Sequence, residues 1–238
     1  MNIAIIGYGK MGHEIETIAK ERGHSITLII DQNNLHELTP ENLINIDVAI
    51  EFTTPQTAFE NVKKCLNAGK PVVCGTTGWI EKLEDARTLA EKGNGALFYA
   101  SNFSIGVNLF FKLNSIFAKY VNGVDAYSVA MEEIHHTQKK DAPSGTAITL
   151  AQLITKEIET LNGWTLLPDF QDDKLPIKAI REGEVTGTHK VTYNSNQDEI
   201  TLVHRAKDRK GFALGAVMAA EFSKGKTGFL TMDSLLNV

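Results

Sequence analysis

The chain has 238 residues, 42% of them hydrophobic, enough to bury one sizeable core or two modest ones. Its 24 basic residues against 29 acidic ones leave a net charge of −5 with no basic tail, which argues against nucleic acid as a partner. Apolar runs break well short of the roughly 18 residues a membrane span needs, and the opening MNIAIIG carries no basic leader or cleavage site, so the sequence reads as cytosolic with no membrane partner.

In chain order, residues 2–6 form a short β-branched run followed by Gly7-Tyr8-Gly9-Lys10-Met11-Gly12 and a helical stretch closed by Gly23, a strand, turn and helix. A second strand, 25–30, ends at Asp31, and a third, 48–52, ends in Thr53-Thr54-Pro55, where Thr54 suits an N-cap and Pro55 a first helical residue. The pattern repeats with a strand at 72–74, a turn Gly75-Thr76-Thr77-Gly78, a helix at 80–92 and a strand at 96–100. Cys65 and Cys74 fall in different elements without metal spacing and are expected as buried free thiols. Strands alternating with helices imply a parallel sheet covered on both faces.

After Phe103 the grammar changes. A helix with Val107, Phe110, Leu113, Phe117 and Tyr120 at helical spacing leads to a strand at 127–134 and the segment EIHHTQKKDAPSGT (133–146). A helix follows from about Thr146 with Leu150, Leu153 and Ile154 on one face, then a polar loop, 162–174. Candidate strands at 177–181, 189–193 and 200–204, joined by Gly- and Asn-containing turns, read as an antiparallel sheet. The apolar helix 211–222 returns to the first domain. The fold class is therefore α/β: a Rossmann-like parallel-sheet dinucleotide-binding domain, 1–103 with 209–238, plus an inserted α+β domain, 104–208, with a mixed or antiparallel sheet.

In Gly7-x-Gly9-x-x-Gly12 the glycines suit a tight turn, close approach to a pyrophosphate and close helix packing; the bland reading is a packing turn alone. The context favours a dinucleotide, because Asp31 at the end of the second strand would hold ribose hydroxyls. Asp31 repels a 2′-phosphate, and Gln32, Asn33 and Asn34 offer no cation, which favours NADH over NADPH; Lys10 could still reach such a phosphate. Phe52-Thr53, Gly75-Thr76-Thr77 and Ala100-Ser101-Asn102-Phe103 end strands at the sheet's carboxyl edge, where such folds bind ligands, though ordinary turns use the same residue types.

In the segment 133–146, His135 and His136 on an extended chain point oppositely, and no carboxylate or cysteine offers a tetrahedral metal set. Ser144 precedes a helix and shows no nucleophile-elbow pattern. What remains is a loop with His and Lys as proton donors beside a helix start, Ser144-Gly145-Thr146, suited to a carboxylate; plain helix capping is the bland alternative. Hydride transfer to a double bond would give those donors a task.

The run E-x-H-H-x-x-K-x-D-A-P-S-G-T resembles the signature of the 4-hydroxy-tetrahydrodipicolinate reductase (dihydrodipicolinate reductase) family. The likeness extends through Gly7 to Gly12, Gly75-Thr76-Thr77-Gly78, Ser101 to Asn108, Arg181-x-Gly183, Gly187-x-His189 and the stretch from His204 to Ala216, and so covers essentially the whole chain. The resemblance implies catalytic roles for His135 and for Lys139 as proton donor, and substrate contacts from His136, Ser144, Gly145 and Thr146. It implies cofactor contacts from Gly7, Tyr8, Gly9, Lys10, Met11, Gly12, Asp31, Phe52, Thr53, Gly75, Thr76, Thr77, Ala100, Ser101, Asn102, Phe103 and Arg209. It further implies reduction of 4-hydroxy-2,3,4,5-tetrahydrodipicolinate, a small cyclic dicarboxylate of lysine and diaminopimelate biosynthesis, by a homotetramer joined through the inserted domain's sheets. The chain departs from many members in the short stretch between Asp31 and Val48 and in Gln32, where members that use NADPH often carry Arg. The rival readings are another amino- or imino-acid dehydrogenase, which should lack HHxxKxDAPSGT, and a non-catalytic NADH sensor, which has no use for Lys139.

Overall fold

The computed structural model describes residues 1–124, 126–208 and 210–237. The first elements are β1 (Asn2–Ile6), α1 (Lys10–Glu21), β2 (Ser25–Ile30), α2 (Pro40–Leu43), β3 (Val48–Glu51), α3 (Pro55–Asn67), β4 (Val72–Cys74), α4 (Leu83–Lys92) and β5 (Ala96–Tyr99). They are followed by α5 (Ile105–Val121), β6 (Ser128–His135), α6 (Gly145–Glu157), β7 (Trp164–Leu166), β8 (Leu175–Arg181), β9 (Thr188–Asn194) and β10 (Glu199–Arg205). The chain ends with α7 (Lys210–Ser223), β11 (Gly228–Leu230) and α8 (Met232–Leu236). It divides into two compact units, Met1–Ile105 with Lys210–Val238, and Gly106–Arg209. Among the described residues no helix is long and apolar enough to cross a membrane.

The first unit is a parallel sheet in the order β11-β5-β4-β3-β1-β2. The strands β1, β3 and β4 are almost wholly buried and apolar, as a sheet covered on both faces requires. One layer packs α1 and α7 against Ile3, Ile5, Val73 and Phe98, and the other packs α3 and α4 against Ala4, Ile6, Val72 and Leu97. Between β2 and β3 the chain forms only a 3-10 turn (Leu35–Glu37) and α2, too little for another strand, so β3 crosses to the far side of β1. That reversal places a topological switch point between β1 and β3, where ligands bind outside the strand ends.

The expected helix 80–92 is a 3-10 turn (Ile80–Lys82) leading into α4. Thr54 occupies the N-cap of α3, yet its hydroxyl caps no backbone amide and meets Thr57 Oγ1 instead. Strand β11, three residues long, extends the sheet beyond β5 and was not anticipated from so short a run.

The second unit is a five-stranded sheet in the order β10-β9-β6-β8-β7. It is mixed. The hairpin β9–β10 and the pair β6–β9 are antiparallel, whereas β6–β8 and β7–β8 run parallel, so of the mixed or antiparallel sheet expected here the mixed form is the one present. Strand β7 lies within the stretch expected as polar loop, a single Trp-Thr-Leu run between polar residues. One face buries Met131, Ile177, Val191 and Tyr193 against α5 and α6, with Leu150 and Ile154 inward as the helical spacing predicts. On α5 the buried side is Val107, Phe110, Phe111, Asn114, Ala118 and Val121, whereas Leu113 and Tyr120 are exposed. This helix is apolar on more than one face, so periodicity alone could not choose among them.

Candidate active site

At the switch point, a cleft of about 560 Å³ is lined by Gly7, Tyr8, Gly9, Ile30, Asp31, Gln32, Leu35, Phe52, Thr53, Thr54 and Thr57. Gly7 has φ +97°, and a Cβ there would lie 2.0 Å from the Phe52 carbonyl oxygen, so the turn accepts only glycine. A Cβ on Gly12 would lie 2.4 Å from the Gly7 carbonyl oxygen, so α1 leaves the turn at the closest approach two backbones allow. A Cβ on Gly9 would meet nothing within 4 Å, and no side chain caps the start of α1. Open space before a helix N-terminus whose amides lack a side-chain partner fits a pyrophosphate, and Asp31 at the end of β2 fits a ribose.

The other expected cofactor residues distribute unevenly. Lys10 is exposed at the start of α1, and Met11 packs against the core. Tyr8 is tied back to α1 by a hydrogen bond to Glu16 and by its ring, 4.0 Å from that of His13. The Phe52 ring covers Gly75, where a Cβ would fall 2.2 Å from it. Thr53 donates its amide to Thr76 Oγ1 at 2.7 Å, joining the ends of β3 and β4. Thr77 and Ser101 are exposed, while Ala100 and Phe103 are buried in the core, with Phe103 packed on Phe52 and Phe98. Asn102 accepts from the Ser104 amide. Gly75 to Thr77 and Ala100 to Phe103 are not among the residues lining the cleft. Arg209 lies outside the described residues.

Behind these strand ends is a buried carboxylate absent from the expected set. Glu51 accepts from Thr53 Oγ1, from Asn61 Nδ2 at 3.4 Å and from Cys74 Sγ at 3.0 Å. Both cysteines are free and fully buried. Burial, with Glu51 nearby, pushes the Cys65 thiol up to about 12 and Cys74 well above its usual range, so neither supplies a thiolate.

In the second unit, the end of β6 aims alternate side chains to opposite faces. His136 lines a cleft of about 350 Å³ with Thr137, Gln138, Gly183, Glu184 and Thr186. Glu133 and His135 point the other way into a buried cluster with His189 of β9 and Arg181 of β8, brought together by the β6–β8 and β6–β9 pairings. Glu133 Oε1 accepts from Arg181 Nη2 and from the Ser144 amide, each at 3.0 Å. Its Oε2 stands 3.0 Å from His135 Nδ1 and 3.9 Å from His189 Nε2. Burial alone would raise the Glu133 pKa, but the hydrogen bonds from His135, Ser144 and Arg181 outweigh it and hold it at about 2.

Ser144 caps α6 through its hydroxyl, which accepts from the Ala147 amide at 3.2 Å and meets His189 Nε2 at 3.3 Å. With its amide committed to Glu133, Ser144 is buried, and at the helix start Gly145 faces open space, where a Cβ would meet nothing within 4 Å. Thr146 is half-buried in the same first turn. Lys139 is half-buried and pairs with Asp141 at 2.8 Å, which keeps the Asp141 carboxyl below its ordinary range. Arg181 Nη2 also holds the Asp141 carbonyl, so one guanidinium pins the Lys139 loop to Glu133.

In the sequence Arg181 and His189 stand out only as landmarks of the resemblance, and Glu133 only as the first residue of the segment 133–146. Glu133, two residues before His135 on the same strand face, was the available signal. Ligand-type atoms of Glu133, His135 and His189 lie within 4.8 Å of one another, but the positive charge beside that carboxylate is Arg181's.

His189 is buried, and desolvation, with charge repulsion from His135, lowers its pKa to about 4. The unfolded chain takes up that proton first as pH falls, so the stability this group lends is complete above its ordinary 6.5 and is lost on descent toward 4. We expect His189→Gln to flatten the pH dependence of unfolding free energy across that window by about 3 kcal/mol, measured by urea titration at several pH values. An unchanged slope would show that His189 titrates normally in the folded protein.

A glycine-turn cleft on a parallel sheet is the nucleotide-binding half of a nicotinamide-dependent reductase, the class of protein to which this chain belongs. Residues 1–103 match the family described as dihydrodipicolinate reductase, N-terminus, and residues 106–236 the family described as dihydrodipicolinate reductase, C-terminus. The chain belongs to the dihydrodipicolinate reductase family. It is 51% identical over 238 residues to the 4-hydroxy-tetrahydrodipicolinate reductase of Christiangramia forsetii, covering 100% of this chain and 98% of the relative. The corresponding enzyme of Lawsonia intracellularis is 31% identical over 253 residues, covering 97% and 96%. Among solved structures, the dipicolinate-bound dihydrodipicolinate reductase of Paenisporosarcina sp. TG-14 superposes with a TM-score of 0.82 at 25% identity, covering 98% of each chain.

Proposed function

We propose that this protein reduces 4-hydroxy-2,3,4,5-tetrahydrodipicolinate, with loss of water, to 2,3,4,5-tetrahydrodipicolinate in the cytoplasm, as a step toward diaminopimelate and lysine. NAD(P)H, held by Gly7 to Gly12, Asp31, Phe52, Thr53 and the neighbouring strand ends, supplies the hydride when bound. Lys139 gives the proton, His135 meets the reacting part of the substrate through a ring nitrogen, His136 contacts the substrate, and Gly145 and Thr146 hold a substrate carboxylate. Ser144 acts through the helix start it caps. The observation that carries this reading is the Lys139 loop and the start of α6 both fastened to buried Glu133, which sets a cation and helix amides on one short segment. The solved relative's bound dipicolinate, a cyclic dicarboxylate, suits the same groups. The test is loss of absorbance at about 340 nm on adding freshly generated substrate. NADH oxidation only when substrate is present supports the reading, and none at any enzyme concentration refutes it.

The cofactor we assign is NADH. Asp31 Oδ1 accepts from the Asn33 amide at 2.7 Å, which holds this carboxylate at the end of β2, and Gln32 to Asn34 offer no cation. Asp31→Ser is expected to raise the NADPH-to-NADH ratio of kcat/KM about tenfold, the effect of removing one repulsive contact of about 1.4 kcal/mol. A clear NADPH preference in the unaltered protein would overturn the assignment. The substrate unit we also assign to oligomerisation: the sheet face opposite α5 and α6 leaves Ala130, Thr201 and Val203 exposed, and a homotetramer through it would be seen by light scattering.

A further inference from the structure

Glu133 is wholly buried, and its two oxygens do different work. Oε1 takes the Arg181 guanidinium and the Ser144 amide, and so anchors β8 and the start of α6 to β6. Oε2 serves neither contact. It lies 3.0 Å from His135 Nδ1, and among the described residues neither atom has another hydrogen-bond partner. Two buried polar atoms left facing each other are costly unless a proton lies between them. On the other side of the imidazole is Gly187, where a Cβ would stand 3.0 Å from His135 Nε2, so the absence of a side chain is what leaves that nitrogen unobstructed. The other charged or titratable groups facing this ring are His189, with ring centroids 5.2 Å apart, and Arg181 through Glu133.

We propose that Glu133 is a positioning residue for the reaction: its Oε2 holds His135 in the tautomer protonated on Nδ1, leaving Nε2 as the atom that meets the reacting substrate. This rests on the reading of His135 as a reductase residue. A purely structural carboxylate would need only Oε1, and a glutamine at this position could supply that acceptor. The same glutamine would offer an amide N–H to His135 Nδ1 and drive the ring to the opposite tautomer, the error that costs carboxylate–histidine enzymes orders of magnitude in turnover.

The decisive measurement is the side-chain nitrogen NMR spectrum of His135 in the full-length unaltered protein above pH 7.5, assigned by its loss in His135→Asn. We expect the proton on Nδ1; a ring protonated on Nε2 overturns the proposal without any variant of Glu133. In Glu133→Gln the proton is expected on Nε2, with kcat lowered about a hundredfold and the Kd for NADH changed less than about twofold. Retention of the Nδ1 tautomer in the variant, or turnover within about threefold of the unaltered protein, would also overturn it. Absence of turnover in the unaltered protein would refute the reductase reading, while the tautomer would still decide what Glu133 does to His135.

Discussion

Lys139→Ala is expected to lower kcat by about a hundredfold to ten-thousandfold, the range for loss of a positioned proton donor, while the Kd for NADH changes less than about twofold. The ion pair of Lys139 with Asp141 is largely solvent-accessible at its acidic end, so its loss should cost little folding stability. The loop has other supports: the Lys139 amide donates to the His136 carbonyl, and Arg181 holds the Asp141 carbonyl. Alanine therefore removes the ammonium group and leaves the segment in place. Lys139 is not among the residues lining the glycine-turn cleft, which is why cofactor affinity should be spared. Single-turnover kinetics with NADH titrated by fluorescence separates the two effects, and equal turnover in the variant would remove Lys139 from the mechanism.

Gly12→Ala is expected to raise the Kd for NADH about a hundredfold or more, close to 3 kcal/mol of lost binding. The new Cβ would lie 2.4 Å from the Gly7 carbonyl oxygen, and Gly7 cannot retreat because it already rests against the Phe52 carbonyl. The helix must therefore tilt away from the turn, carrying its first amides off the phosphate position. Overpacking of this kind typically also costs about 1–3 kcal/mol of stability. Fluorescence titration together with circular dichroism at several temperatures checks both, and an unchanged Kd would show that the turn does not hold the nucleotide.

The local motifs were legible because their information is contiguous. The run NIAII, the glycine turn and the helix closed by Gly23 lie side by side, and Asp31 follows directly on β2. Features that depend on distant partners were not. Arg181 and His189 reach Glu133 only through the registers Glu133 with Ala179 and Glu133 with His189, pairings across forty or more residues that no local pattern encodes. The choice between a mixed and an antiparallel sheet in the second unit stays open in the sequence for the same reason, since the parallel crossover from β6 to β8 through α6 leaves no turn signature. Strands β7 and β11 were too short for alternation to register. Ala100 and Phe103 sit at a strand end as expected, but their side chains face the core, because position along a strand does not fix which way a side chain leaves it.

Acid should weaken the second unit in two stages. His189 loses its contribution first, from 6.5 toward 4, and Glu133 follows: its pKa is held near 2, so its contribution is complete above its ordinary 4.5 and fades as pH falls through about 2. Both groups lie within the cluster that fixes the start of α6, so loss of folding and loss of the proposed substrate contacts at Gly145 and Thr146 should coincide on the acid side.

The most direct test of the central claim follows the hydrogen itself. The protein is incubated with NADH deuterated at the transferring position of C4 and freshly generated 4-hydroxy-2,3,4,5-tetrahydrodipicolinate, and the product is examined by mass spectrometry. Deuterium in 2,3,4,5-tetrahydrodipicolinate, formed one for one with oxidised cofactor and nearly abolished in Lys139→Ala, is the predicted result. Oxidation of the cofactor without label in that product, or no oxidation at all, would contradict the assignment.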